Sequence, residues 1–273
     1  MNVNEIVKLA LEEDLRHSDI TTDNLDLNPK SINAFLIAKE SGILSGIDIA
    51  YQCFKTIDRS INFVNYKKDG DSLQTKEEIA KITGPSFSIL KAERVALNFL
   101  QRMSGIATMT NKFVNKIEPY RVKLLDTRKT TPLLRELEKY SVKIGGGFNH
   151  RFGLYDMIML KENHIRAAGS ITKAVETIKK HDCIHKIEVE VTNLEELEEA
   201  VKAKADRIML DNMSINEIKE AVKNYGDKVE LEASGNINLD TIRNVAETGV
   251  HFISSGAITH SYTSLDISLL FKE

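Results

Sequence analysis

Cysteine is scarce in this chain of 273 residues, in which Cys53 and Cys183 are the two present. They stand in unrelated contexts, without the paired spacing that thiolate metal sites and disulfide frameworks require. The sequence therefore excludes a disulfide-stapled scaffold and a cysteine-bound metal centre, and it predicts two reduced, buried thiols.

Long hydrophobic runs are missing as well. No apolar stretch approaches the roughly 18 to 20 residues that a membrane span needs. Residues 1–15 show an acidic amphipathic pattern, with Val3, Ile6 and Val7 on one helical face, in place of the basic segment and apolar core of a secretory signal. We therefore expect a cytoplasmic protein without a membrane partner.

The chain also lacks a large excess of positive or negative charge. Lys and Arg total 37 against 40 Asp and Glu, a net charge of −3, which argues against a nucleic-acid-binding surface. A hydrophobic fraction of 42% with 28% charged residues excludes a disordered or collagen-like chain and is typical of a globular protein with a core. Because domains usually run about 100 to 200 residues, we expect one or two.

The pattern of apolar residues changes along the chain. In the first hundred residues, strand-like stretches alternate with helical periodicity, and Gly84-Pro85 is a turn signal, which predicts a small α+β layer. The predicted strands there are 34–39, 61–66 and 78–83, and the helices are 47–57 and 92–103. From residue 121 onward, apolar runs end in polar residues and precede amphipathic helices. These runs cover 122–126, 157–161, 187–190, 207–211, 229–234 and 252–256.

Such consecutive strand–helix units, with almost wholly apolar strands, predict a parallel sheet covered by helices. The sheet is either a barrel or doubly wound. In a doubly wound sheet the functional residues collect at one crevice, whereas here nearly every strand ends in a chemically capable side chain. We therefore favour a barrel, and because six or seven strands are visible instead of eight, we expect it to be incomplete and open.

Basic residues are concentrated between residues 121 and 170. This segment holds ten Lys or Arg and five Asp or Glu, a local net charge of +5 in a chain whose total is −3. Charged residues are mostly solvated surface, and we assign Arg135, Lys139 and Lys143, which stand at helical spacing, to the surface.

Four basic residues of this segment differ because they stand at strand ends or beside the triple glycine 145–147. They are Arg128, Lys129, Arg151 and Lys161, and we call them the cationic cluster. Arginine binds carboxylate or phosphate in a planar, bidentate manner, while lysine supplies a point charge. The cationic cluster therefore predicts a site for a small anion that carries several charges.

Acidic and small residues follow the later strands. Glu190 and Asp211 end adjacent strands, where they can hold Mg²⁺ or accept hydrogen bonds from sugar hydroxyls. The Ser-Gly-Asn of residues 234–236 and the Ser-Gly-Ala of residues 255–257 follow the last two strands, where barrels commonly bind phosphate. Together with the cationic cluster, these features predict a phosphorylated sugar donor and an anionic acceptor.

Ordered motifs run through nearly the whole chain. They are Asp19-Ile-Thr-Thr, Ala92-Glu-Arg-Val-Ala-Leu-Asn-Phe-Leu-Gln, Ser104-Gly-Ile-Ala-Thr, Asp126-Thr-Arg-Lys-Thr-Thr-Pro, Gly145-Gly-Gly-Phe-Asn-His-Arg-Phe-Gly-Leu-Tyr-Asp, Leu160-Lys-Glu-Asn-His, Ile187-Glu-Val-Glu-Val, Met209-Leu-Asp-Asn-Met, Leu231-Glu-Ala-Ser-Gly-Asn-Ile and Gly256-Ala-Ile-Thr-His. With these motifs the chain resembles the quinolinate phosphoribosyltransferases (carboxylating nicotinate-nucleotide diphosphorylases). So many motifs in order make the resemblance far more specific than any one of them.

The resemblance implies a fold and a partner. The implied fold is a small N-terminal α/β sandwich, residues 1–104, which residues 262–273 rejoin, and an open, incomplete α/β barrel, residues 105–261, that carries the active site. The implied partner is a second copy of the chain, in a homodimer that can assemble further into a hexamer. Each active site of the family borrows an arginine from the neighbouring subunit, and Arg94 is the matching position.

The resemblance also implies a reaction. Phosphoribosyl passes from 5-phosphoribosyl 1-diphosphate to quinolinate with decarboxylation, giving nicotinate mononucleotide, CO₂ and diphosphate in de novo NAD biosynthesis, with Mg²⁺ as the cofactor. The matching substrate-binding positions are Arg94, Thr127, Arg128, Lys129, His150, Arg151, Lys161, Glu190, Asp211, Ser234, Gly235, Asn236, Ser255, Gly256, Ala257 and His260. The implied catalytic residues are Lys129, Lys161, Glu190 and Asp211, the last two also serving the metal, largely through water.

Two other functions are compatible with these motifs. A molybdenum-transport-associated paralogue shares the fold and several motifs, but the intact His150-Arg151, Lys161 and Asn163-His164 favour the quinolinate enzyme. A non-catalytic barrel that senses phosphorylated ligands would be supported by the loss of Glu190 or Asp211, and both are present.

Overall fold

Helices and strands alternate along the part of the chain that the computed structural model describes, residues 2–25, 31–181 and 184–272. The strands are β1 (Ser31–Ala38), β2 (Gly42–Ile43), β3 (Asn62–Asn65), β4 (Ser72–Leu73), β5 (Glu78–Pro85), β6 (Lys123–Leu125), β7 (Ile158–Leu160), β8 (Ile187–Val191), β9 (Arg207–Asp211), β10 (Glu230–Ser234), β11 (Phe252–Ser254) and β12 (Ile267–Lys272). The helices are α1 (Val3–Leu15), α2 (Ile20–Asn24), α3 (Ile47–Ile57), α4 (Ser86–Ile117), α5 (Arg135–Ile144), α6 (Glu162–Ala168), α7 (Ile171–His181), α8 (Leu194–Lys202), α9 (Ile215–Tyr225), α10 (Ile242–Ala246) and α11 (Ala257–His260).

The N-terminal strands form an antiparallel sheet in the order β12-β1-β5-β3, while β2 pairs with β4. Ala34 and Leu36 alternate with less buried neighbours on β1, as expected for a strand with one face on a core. That core includes the fully buried Phe54 of α3, whose burial contributes about 1.5 to 3 kcal/mol. The C-terminal strand β12 completes the sheet, with Leu269 opposite Leu36.

Gly84-Pro85 lies between a strand and a helix, as predicted, but forms no separate turn. The two residues end β5, where Gly84 lies opposite Ile32 and Pro85 opposite Ser31 of β1. Proline is tolerated at such a strand end because no ladder hydrogen bond there needs its missing N–H. The helix predicted over residues 92–103 is the middle of α4, which has 32 residues and begins directly after the strand.

The six runs predicted as parallel strands do form one parallel sheet, in the order β6-β11-β10-β9-β8-β7. Among the described residues, β6 and β7 stand at opposite ends of this order and do not pair, so the barrel is open, as predicted. Phe148 extends the β6 end by one residue. Its N–H donates to the carbonyl of Leu124 at 2.8 Å, and the N–H of Asp126 donates back to the carbonyl of Phe148 at 3.1 Å.

The helix starts of the barrel half follow local signals. Ser214 and Glu217 form a capping box at the start of α9, each side chain accepting from the other's backbone N–H. The Asn238 side chain accepts from the N–H groups of Asp240 and Thr241 and forms a turn, and α10 begins after this turn, at Ile242.

The chain divides into two compact units, residues 1–111 with 131–146 and 262–273, and residues 112–130 with 147–261. Residues 105–111 and 131–146 therefore group with the first unit, although the sequence placed them in the barrel. Residues 131–146 group with the first unit because α5 packs there. Leu137 of α5 joins the core of the first unit, and the Ser141 hydroxyl lies 3.2 Å from that of Ser45. Lys139 of the same helix, expected on the surface, is fully buried.

No disulfide bond is present among the described residues. Cys53 is buried and free, and burial raises the pKa of its thiol to about 12, which keeps it protonated at neutral pH. Cys183 lies outside the described residues. In the described part of the chain, no helix combines the length and the apolar character needed to cross a membrane.

Candidate active site

A cavity of about 800 Å³ opens at the carboxyl ends of the parallel strands. Except for Arg94, every site residue predicted from the sequence lines it: Thr127, Arg128, Lys129, His150, Arg151, Lys161, Glu190, Asp211, Ser234, Gly235, Asn236, Ser255, Gly256, Ala257 and His260. They meet there because the carboxyl ends of neighbouring parallel strands share one edge of the sheet. The lining residues not singled out from the sequence are Met159, Met209, Asn212, Ile237, Asn238 and Ser254.

Arg94 is the predicted site residue that the structure places elsewhere. It lies on α4 in the first compact unit, and its side chain is exposed. The chain's own cavity is therefore built without it.

The two arginines of the cationic cluster influence each other. Arg151 donates from one guanidinium nitrogen to the carbonyl of Met157 at 3.1 Å, and its other terminal nitrogen lies 3.5 Å from the sulfur of Met159. Burial, and then the positive charge of Arg128, lower the pKa of Arg151 from its usual value. A guanidinium nevertheless stays charged at neutral pH, so the cavity holds two neighbouring positive charges that an anion would stabilise.

Lys129 is positioned through its backbone. Its N–H donates to the hydroxyl of Thr127 at 3.0 Å, and its carbonyl accepts from the hydroxyl of Thr259 at 2.8 Å. A Cβ at Gly256 would come within 2.9 Å of the Lys129 side chain and of the His260 ring. The glycine therefore lets both basic side chains pass close to the loop after β11.

Glu190 and Asp211 stand where the sequence placed them, on β8 and at the end of β9. Glu190 forms an ion pair with Lys161 of the cationic cluster, and Asp211 accepts from the Asn212 amide at 3.0 Å. Carboxylate and amide oxygens are the ligands Mg²⁺ prefers, and it usually keeps several waters beside one or two carboxylates. The donor set therefore fits a magnesium ion held largely through water.

The loop after β10 depends on glycine. Gly235 has a φ of +101°, and a Cβ there would lie 2.2 Å from the amide oxygen of Asn212. The same oxygen accepts from the Asn236 side chain at 3.1 Å. The loop after β11 is tied to it, because the Ser255 hydroxyl donates to the carbonyl of Ile237 at 2.8 Å. The small residues after the last two strands thus form one connected surface.

His150 lies in the wall of the cavity and is buried, with its side chain 5% exposed. Its Nδ1 accepts from the backbone N–H of Arg151 at 2.7 Å, while its Nε2 lies 3.0 Å from Glu188 and 3.5 Å from Glu232. Burial alone would lower the pKa of His150, but the two carboxylates outweigh burial and raise it to about 9. When the ring is neutral, the hydrogen bond that Nδ1 accepts from Arg151 places the remaining ring proton on Nε2.

Three buried acids near His150 were not singled out from the sequence. Asp126 accepts from the backbone N–H of His150 at 2.8 Å and from the Asn149 amide at 2.6 Å. Glu188 and Glu232 stand within β8 and β10, between apolar neighbours, and are fully buried. That position was the available signal, because a carboxylate is rarely buried unless it is paired.

Comparison with known proteins decides the family. The model of the quinolinate phosphoribosyl transferase N-terminal domain matches residues 19–104, and that of the C-terminal domain matches residues 106–270. The chain belongs to the quinolinate phosphoribosyltransferase family. The resemblance and the open barrel predicted from the sequence are thereby confirmed.

Individual members of the quinolinate phosphoribosyltransferase family are similar over almost the whole chain. A probable nicotinate-nucleotide pyrophosphorylase (carboxylating) of Bacillus subtilis is 44% identical over 258 residues, covering 94% of this chain and 89% of the relative. The chloroplastic enzyme of that name from Arabidopsis thaliana is 41% identical over 284 residues, covering 97% of this chain and 81% of the relative. The solved structure of the Francisella tularensis nicotinate-nucleotide pyrophosphorylase superposes with a TM-score of 0.96 at 46% identity, covering 99% of this chain and 96% of that one.

Proposed function

We propose that this phosphoribosyltransferase transfers the phosphoribosyl group of 5-phosphoribosyl 1-diphosphate to quinolinate with decarboxylation, giving nicotinate mononucleotide, CO₂ and diphosphate. The step belongs to de novo NAD biosynthesis. The activity for which the Bacillus and Francisella relatives are named supports this reaction. The observation that carries it in this chain is the convergence of the cationic cluster with Glu190 and Asp211 in one cavity.

The cationic cluster binds the acceptor. Quinolinate carries two adjacent carboxylates, and the neighbouring guanidinium groups of Arg128 and Arg151 match them as planar, bidentate partners. Lys129 and Lys161 add point charges and are the basic residues that we assign to catalysis. Thr127 supports this side of the cavity through its hydrogen bond with Lys129.

The donor lies on the other side of the cavity. The small residues at 234–236 and 255–257, with His260 beside them, bind the 5-phosphate of the donor. Glu190 and Asp211 accept hydrogen bonds from the ribose hydroxyls and hold Mg²⁺, largely through water. When bound, Mg²⁺ neutralises charge on the diphosphate leaving group.

The chemistry needs no protein nucleophile. The pyridine nitrogen of quinolinate attacks the anomeric carbon as the bond to diphosphate breaks, and the basic side chains stabilise the charge that leaves. The ribosylated nitrogen is cationic, so the ring accepts the electron pair of the C2–carboxylate bond as CO₂ departs. A proton from solvent then takes that position on the ring.

The active unit is a homodimer, which can assemble further into a hexamer. Arg94 supports the dimer because it is an exposed arginine that does not line its own chain's cavity. In the dimer, Arg94 of the partner subunit completes the acceptor side of each site. We place the enzyme in the cytoplasm, a setting that suits the free, buried thiol of Cys53.

Incubation of the purified chain with quinolinate, 5-phosphoribosyl 1-diphosphate and Mg²⁺ tests the reaction. We expect nicotinate mononucleotide and CO₂ in equal amounts, and neither product when nicotinate replaces quinolinate, because nicotinate lacks the 2-carboxylate. Mononucleotide formed from nicotinate without CO₂ would assign the chain a different acceptor. No product with either acceptor would refute the proposal and favour a binding protein.

A further inference from the structure

The interior of the barrel beneath the cavity is charged. Barrel interiors are usually filled with branched apolar side chains, yet Glu188 and Glu232 are fully buried here. Each precedes a cavity-lining residue by two positions on its strand, Glu188 before Glu190 and Glu232 before Ser234. Since side chains two apart share one face of a strand, both glutamates point inward below the site.

Glu232 has a partner on the side away from the cavity. Arg207 lies 3.4 Å from Glu232 and 3.2 Å from Glu230, with its guanidinium 4.0 Å above the ring of Phe252. This cation offsets part of the cost of burying the carboxylates. On the other side, both carboxylates lie close to the ring of His150.

The His150 ring is held from both ends. Nε2 faces the two carboxylates and Nδ1 accepts the backbone N–H of Arg151. Both ring nitrogens therefore face groups of the protein itself. The ring fixes the position of the Arg151 backbone, and the guanidinium of Arg151 belongs to the cationic cluster. Asp126 fixes the same segment from the other side through the His150 N–H.

We propose that Glu188 and Glu232 are positioning residues for the acceptor side of the site. They hold the His150 ring, which fixes the backbone of Arg151 and thereby aims its guanidinium beside Arg128. His150 is accordingly a positioning residue as well, and the substrate carboxylates bind to the cationic cluster. The inference rests on the proposed function, since it assigns the pair to the binding of quinolinate.

A metal ion is the other occupant that this cluster could take. One ligand atom from each of His150, Glu188 and Glu232 lies within 4.8 Å of the others. The 3.0 Å separation of Nε2 and the Glu188 oxygen, however, is that of a direct ion-pair contact, and Arg207 already supplies a positive charge. The direct contacts therefore account for the arrangement.

The substitutions Glu188→Gln and Glu232→Gln test the proposal, with Glu230→Gln as the matched control. Glu230 stands on the same strand as Glu232 and contacts Arg207, but has no contact with His150 in the described structure. Loss of one carboxylate charge from the buried contact with His150 predicts a rise of about tenfold or more in the Kd and KM for quinolinate in each test variant. The KM for 5-phosphoribosyl 1-diphosphate, and all constants of E230Q, should stay within about twofold of the wild-type values.

Three results would overturn the proposal. The first is an equal rise in the KM for both substrates, and the second is a lower Tm with an unchanged KM for quinolinate, since each marks a purely structural role. The third is a stoichiometric transition metal in the purified wild-type protein that E188Q loses.

A measurement on the wild-type chain covers the case in which the variants fail to fold. In protein labelled with ¹⁵N at histidine and held at a pH above the pKa of His150, which is about 9, we expect the His150 resonances of an unprotonated Nδ1 and a protonated Nε2, unchanged when quinolinate saturates the site. A change of the ring nitrogens on saturation would mean that His150 binds the ligand directly, against the proposal. Wild-type protein that binds no quinolinate, but shows this ring state, would refute the proposed function instead.

Discussion

Lys161 and Glu190 form an ion pair across neighbouring strand ends at the mouth of the barrel, with their side chains 47% and 16% exposed. A cation expected to hold the acceptor is thus paired with an acid expected to serve the donor. A carboxylate that binds Lys161 competes with Glu190 for the charge of the ammonium group, so occupation of the two sides of the cavity is coupled through this pair.

Glu190→Gln therefore has opposite effects on binding and on turnover. Releasing Lys161 should tighten quinolinate binding up to about fivefold, the value of a partly exposed ion pair near 1 kcal/mol, while kcat falls because the donor side loses a carboxylate. Isothermal titration with quinolinate, and steady-state kinetics, measure the two effects. The exposed Glu195 of α8 supplies the control E195Q, which should change neither. Weaker quinolinate binding in E190Q would contradict the coupling.

Arg151→Lys should raise the KM for quinolinate by about tenfold or more, because lysine keeps the charge but loses the planar pair of donors. Arg166→Lys, at an exposed arginine of α6 paired with Glu162, is the control and should leave the KM unchanged. Steady-state kinetics with quinolinate varied decide the question. Equal KM values for R151K and the wild-type chain would remove Arg151 from the acceptor side.

Mixing two inactive variants tests the shared site. Arg94→Ala and Lys161→Ala should each abolish most activity as separate homodimers. After random exchange, half of the dimers are mixed and each has one intact site, so about a quarter of the wild-type activity should return. Activity that stays at the level of the separate variants after exchange, with mixed dimers demonstrated by mass, would place both residues in one subunit's site.

Gly235→Ala separates backbone strain from a blocked contact. Gly235 and Gly70 both have positive φ, +101° and +93°, but a Cβ at Gly235 would meet Asn212, whereas Gly70 has nothing within 4 Å. Each Ala variant should lose about 1 to 2 kcal/mol of stability through the left-handed backbone. G235A should lose more than G70A in denaturant unfolding and should alone raise the KM for 5-phosphoribosyl 1-diphosphate. Equal losses, with both KM values unchanged, would show that the contact with Asn212 is unimportant.

The sequence by itself determined the features that are local to a strand or its end. Apolar runs such as 207–211 marked all six parallel strands, and the polar residues after them marked the cavity lining, because strand direction and pleat carry each strand's last side chain to one edge. The motifs also indicated the family, and with it the open barrel.

Only the tertiary structure decided which faces meet. The spacing of Lys139 is that of a surface residue, and Gly84-Pro85 has the composition of a turn, yet one is buried and the other ends a strand. Likewise, no spacing showed that Glu188 and Glu232 reach the same side of the His150 ring, because they lie on strands separated by β9 and face it only when the sheet curves. Such contacts are non-local, and the free energy of burying a charge is settled by partners that the local sequence does not contain.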